Sequence, residues 1–167
     1  MKMIIIGLFL CMNIAAFANN EYKEVGKFNC KSSSSLFPYE TPATIATLIL
    51  EAKVSTKEYD LSNRVEMSKL DLTMAYAIRK QNESNILEQG FVKSFSTRAV
   101  DLPFYPTNYN DVSYKVRVRT NTNSTREIYL SIPDRFYNSR RFGITAYFGE
   151  FNYRDSGATH FSCRMLN

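Results

Sequence analysis

Tryptophan is absent from this chain of 167 residues, histidine occurs once and cysteine three times. No sequence pattern pairs the one imidazole, His160, with a nucleophile, so His160 reads as a solvent-facing bystander. One histidine and scattered carboxylates do not compose a zinc site, and no Asp-rich loop of the calcium type occurs. No metal and no cofactor is therefore expected. Glycine (6) and proline (5) are sparse. They form neither a phosphate-cradling loop nor a G-x-S-x-G elbow. After Ala18 no apolar run approaches the roughly 20 residues that a spanning helix needs, so no transmembrane helix is expected in the mature chain.

The first 18 residues stand apart. Lys2 precedes an apolar run, Met3 to Leu10, and Ala16-Phe17-Ala18 fits the small-x-small site of a signal peptidase. Residues 1–18 are read as a signal peptide and 19–167 as a single β-domain, secreted or periplasmic after cleavage near Ala18. Cys11 follows Leu10, not a small residue, and reads as part of the leader. The domain is large enough to bury its own core. The formal charge is +5. Loss of Lys2 lowers it by one, leaving a modest basicity that favours anionic partners without choosing among them.

Two cysteines survive such processing, Cys30 near the new N-terminus and Cys163 near the C-terminus. An even pair in an oxidising compartment predicts one disulfide. The bond would require the first and last strands to be neighbours or to face each other across the core.

Aromatic residues are 14% of the chain, all Phe and Tyr. The apolar pattern has a period of two. Val112, Tyr114, Val116 and Val118 alternate with Ser113, Lys115, Arg117 and Arg119, and after a polar turn Ile128, Leu130 and Ile132 alternate with Glu127, Tyr129 and Ser131. That is a hairpin with an apolar and a cationic face. Phe142 to Phe148 and Thr159 to Met165 read as another, with Asp155-Ser156-Gly157 between them. Leu70 to Ile78 alternates too, although Met67, Leu70, Met74 and Ile78 also fit a helix; the longer match favours a strand. Ala43 to Leu50 is nearly continuously apolar, as in a strand covered on both faces. Phe28 and Cys30 end a first strand, Ser32 to Ser35 reads as a loop, Gln81 to Gly90 as a connection and Phe91 to Thr97 as a weaker strand.

The fold class is all-β: a single antiparallel β-sandwich or a closed barrel of about eight strands, its terminal strands linked by the disulfide. The size invites comparison with lipocalins, but the Gly-x-Trp of their first strand has no counterpart here. The cysteine separation disfavours an immunoglobulin-like domain.

The most suggestive surface is the row Lys115, Arg117 and Arg119, which Arg126, Arg135, Arg140 and Arg141 would extend. Tyr105 and Tyr109 in the aromatic loop from Leu102 to Tyr109, with Tyr129 and Tyr137, would add stacking surface. The plain alternative is an edge strand kept from aggregating by its charges. The favoured function is a non-enzymatic binding protein for an anionic macromolecule, an envelope component or a protein partner, with nucleic acid disfavoured. Two rivals stay open: a small outer-membrane barrel, and a secreted hydrolase with dispersed carboxylates such as Asp71, Glu127 and Glu150. Asn82 and Asn123 head glycosylation sequons.

Overall fold

The computed structural model describes residues 22–37, 43–57, 68–100, 111–148 and 159–166. The expected leader, Tyr105, Tyr109, Glu150, the prolines at 38 and 42 and the turn at 155–157 lie outside them. Eight antiparallel strands follow in order: β1 (Lys23–Phe37), β2 (Thr44–Thr56), β3 (Ser68–Lys80), β4 (Ile86–Arg98), β5 (Asp111–Thr120), β6 (Thr125–Pro133), β7 (Arg141–Tyr147) and β8 (Thr159–Leu166). Each pairs with the next and β8 pairs back onto β1, so the single sheet is a closed barrel, not a sandwich. No helix among the described residues is long and apolar enough to cross a membrane.

Alternation decides which way each strand faces. On β3, Leu70, Leu72, Met74, Tyr76 and Ile78 are all at most 4% exposed. Their period of two places all five on the inner wall, which a helix would not do. From the other strands Phe28, Leu48, Leu50, Tyr114, Val116, Leu130 and Phe161 complete a contiguous core. An eight-stranded barrel is just wide enough for side chains to fill, and each fully buried large apolar side chain contributes roughly 1.5–3 kcal/mol. The outer wall carries most of the charges, with Lys53 and Lys69 flanking Asp71.

The two ends of the barrel are closed differently. At one, a 3-10 turn (Phe136–Asn138) directs Phe136 onto Phe28, ring centroids 5.4 Å apart and edge-on. Arg135 and Arg140, on either side of this turn, are exposed, whereas Phe136 belongs to the core. At the other end, where the β3–β4 and β5–β6 hairpins lie, the closure is polar. Arg126 donates from Nε and Nη2 to the two carboxylate oxygens of Glu88, both at 2.5 Å, and from Nη1 to the Phe148 carbonyl at 3.2 Å. The Tyr76 hydroxyl donates to Glu88 Oε1 at 2.6 Å. Gly90 makes room for this: a Cβ there would stand 2.5 Å from the Tyr76 ring and 2.7 Å from Val118.

The Cys30–Cys163 disulfide joins β1 to β8 across a direct register pair, with Cα atoms 4.1 Å apart. It fastens the seam where the two ends of the sheet meet, and it fits a protein of an oxidising compartment.

Three local expectations are corrected. Ser32 to Ser35 is strand, because β2 pairs with every one of these serines and Ser33 Oγ lies 2.8 Å from Thr47 Oγ1. Ile86 to Gly90 is strand as well, paired with β3 around the buried Glu88. And β2 is covered on one face only: a closed barrel has no second layer, so Ile49 is left 51% exposed. The charge-protected edge has no counterpart, since β5 lies between β4 and β6.

Candidate functional site: an outer groove with cationic ends

The outer row of β5 is as expected, with Lys115, Arg117 and Arg119 alternating against the buried Val116 and Val118. Two of these cations share one carboxylate where they stand. Glu127, on β6 opposite Arg117, takes Lys115 at 2.7 Å and Arg117 at 3.1 Å. The hydrogen bond from Lys115 is the main reason the Glu127 carboxyl is held below its ordinary range, and the same bond raises Lys115. Lys115 also lies over the Tyr129 ring, 5.6 Å from its centroid. Arg119 donates to Asn123 Oδ1 at the hairpin tip, a contact that leaves its charge uncompensated.

The other expected site residues divide. Arg126 shares the inward parity of Ile128, Leu130 and Ile132 and is committed to Glu88, so it does not extend the outer row. Arg141 is exposed on β7 and directly faces Arg164 of β8. Arg140 precedes it, and its carbonyl accepts the Met165 N–H. His160 faces outward beside the Thr145 hydroxyl at 3.1 Å. Asn82 and Asn123 occupy exposed hairpin tips with φ of 67° and 62°. Among the described residues no group of three His, Cys, Asp or Glu side chains could hold a metal ion.

What the expected row does not include is a groove on the opposite flank of the outer wall. Its volume is about 920 Å³, and its lining includes Lys31, Ile49, Phe91, Arg141, Gly143 and Arg164. The register explains why these residues meet. Lys31 of β1 faces Ile49 of β2, Ile49 faces Ala75 of β3, Ala75 faces Phe91 of β4, and Phe91 faces Arg119 of β5. One rung of the barrel thus runs from cation to cation through an apolar middle, in which Ile49 is 51% and Phe91 57% exposed. Beyond Phe91 a second hollow of about 630 Å³ shares Ile49, Ala75 and Phe91 and reaches Arg119.

The Lys31 end is the more strongly charged. Arg141 and Arg164 oppose each other across β7 and β8, and Arg164 Nε donates to Asn29 Oδ1 at 3.0 Å, a neutral partner. Glu51 also lines the groove, so the charges there are three cations to one anion. Among the described residues no carboxylate forms an ion pair with Lys31, Arg141 or Arg164. Like charges directly opposite on a sheet destabilise it.

Sequence reasoning missed Lys31, Ile49, Phe91 and Arg164. The signal present was the apolar run at Ala43 to Leu50, which asked for cover on both faces. Comparison with protein-family models, with curated proteins and with solved structures finds no match.

Proposed function

We propose that this chain is an exported, non-enzymatic binding domain that takes an anionic partner on the outer wall of its barrel. The observation that carries the reading is the cluster of Lys31, Arg141 and Arg164 around one groove, three cations with no described carboxylate paired to them. The row Lys115–Arg117 is the weaker candidate because Glu127 offsets it. The filled interior supports the same reading, since an eight-stranded barrel packed with Phe, Leu, Ile and Val offers its outside to a partner.

The outward charges weigh against an outer-membrane barrel, which needs an apolar lipid-facing band. Asp71 sits between Lys53 and Lys69, and Glu127 between Lys115 and Arg117, the settings of solvated ion pairs and not of a hydrolytic pair. Export is supported by the leader-like residues 1–18 and by the disulfide.

The test is retention on an immobilised polyanion such as heparin under a salt gradient. A variant with Lys31, Arg141 and Arg164 all changed to Glu should elute at much lower salt than one with Lys115 and Arg117 changed to Glu. Equal losses, or a larger loss from the Lys115 and Arg117 change, would overturn the assignment.

A further inference from the structure

We infer that the occupant of this groove is an anionic amphiphile bound one molecule at a time, its phosphate-like head among Lys31, Arg141 and Arg164 and its acyl or alkyl chain along Ile49, Ala75 and Phe91. The inference rests on the reading of the groove as a binding site and adds the chemistry of the ligand. A polyanion would account for the cations but would lay charge over Ile49 and Phe91, the two most exposed large apolar side chains of the described barrel. A purely apolar ligand would account for these two and leave the three cations unanswered. A second copy of this chain would bring the same positive rim against itself.

The dimensions suit an extended chain. From Lys31 to Phe91 the rung crosses three strand spacings of about 4.8 Å, roughly 14 Å in all. The second hollow continues the apolar wall past Phe91, so a longer chain has somewhere to go. At the head end Gly143 opposes Ser162, and a Cβ on Gly143 would meet only the Phe161 carbonyl oxygen, at 3.9 Å. The glycine is therefore not required by packing within the barrel. It leaves a hollow beside the Ser162 hydroxyl, between the arginine pair and Lys31, where an anionic head can approach the wall.

The experiment is a calorimetric titration of the disulfide-intact protein with dodecyl phosphate below its micellar concentration. Dodecyl maltoside, inorganic phosphate and a short heparin fragment are the comparison probes. Dodecyl phosphate should bind one to one and at least about tenfold more tightly than either the maltoside or inorganic phosphate. Gly143→Val and Phe91→Ser should each weaken it about tenfold with an unchanged thermal midpoint, and Arg117→Gln should leave it unaltered. Equal affinity for the maltoside or equal affinity for inorganic phosphate would each overturn the amphiphile. If the heparin fragment binds through the groove while dodecyl phosphate shows no preference, this inference fails and the anion-binding reading stands. If no anion binds, both fail.

Discussion

Arg141 on β7 and Arg164 on β8 face each other directly across the last hairpin, and the only hydrogen bond to a side chain that either makes among the described residues is that of Arg164 to Asn29. Two like charges at a directly opposed sheet position are unfavourable by a few tenths of a kcal/mol or more, and a fold selected only for stability gains nothing from them. Arg141→Glu should therefore raise the stability of the barrel by about 0.5 kcal/mol while weakening anion binding. Chemical denaturation and a binding titration on the same variant check the two halves. A variant that loses stability and keeps its affinity would contradict the role given to the pair.

The polar closure at the opposite end makes a different prediction. Glu88 is 6% exposed and holds both Arg126 and the Tyr76 hydroxyl, whose pKa burial and the bond to Glu88 push up. Glu88→Gln removes the buried carboxylate that accepts from both the Arg126 guanidinium and the Tyr76 hydroxyl and should destabilise by about 3–5 kcal/mol. Tyr76→Phe removes one neutral donor and should cost only about 1 kcal/mol. The double change Glu88→Met with Arg126→Leu should recover most of the loss. Urea midpoints of the three variants give the comparison; a double variant no better than Glu88→Gln would show that packing, not the loss of the Glu88–Arg126 ion pair, dominates.

Removing the seam bond acts on the unfolded chain. Cys30 and Cys163 close a loop with a sequence separation of 133. The chain-entropy estimate for such a loop is roughly 4 to 5 kcal/mol as an upper figure. Cys30→Ala with Cys163→Ala should thus lower the denaturation midpoint strongly while the refolded protein keeps its far-ultraviolet β spectrum. A midpoint unchanged within error would remove the disulfide from the account of stability.

Acid should weaken the barrel in a defined window. Desolvation pushes Asp71 up, but hydrogen bonds from Ser96 and Lys69 and the charges of Lys69 and Lys53 outweigh it, so its carboxyl is held below the ordinary aspartate range. Glu127 lies below 4.5, chiefly through Lys115. With folded pKa values depressed, the unfolded chain binds more protons, and stability rises with pH through this range. Both contributions are complete above about pH 5 and disappear as pH falls through the folded values. Both groups are exposed enough for solvent to screen them, so the effect is small and shrinks with salt. Denaturation midpoints from pH 6 to pH 2, in low and high salt, check sign and size; a barrel more stable at pH 3 than at pH 6 would contradict it.

Much of this architecture is written in a period of two. β3, β5, β6, β7 and β8 are legible because Leu70 to Ile78, Val112 to Val118, Ile128 to Ile132 and the later runs each place one face inside, and Cys30 and Cys163 fix which strands close the sheet. The serines of β1 misled because composition marks turns, whereas partners across the ladder decide pairing; β2 supplies a partner for each. Glu88 disguised the start of β4, since a charge on the inner parity makes sense only with Arg126, 38 residues away, in place. The same parity rule, applied one step further from Ile128, would have turned Arg126 inward. The groove itself was not legible. Its rung joins five strands by register, and neither bulges nor strand offsets can be read from one chain; only the surplus of apolar residues around Ile49 hinted at a face with something to cover.

The most direct test is to map contacts by nuclear magnetic resonance on isotope-labelled protein as dodecyl phosphate is added. The largest shifts should fall on the Ile49 and Ala75 methyl groups, the Phe91 ring and the Gly143 amide, with Lys115, Arg117 and Glu127 unmoved. Shifts centred on β5 and β6, or spread through the core at Leu50 and Val116, would contradict it.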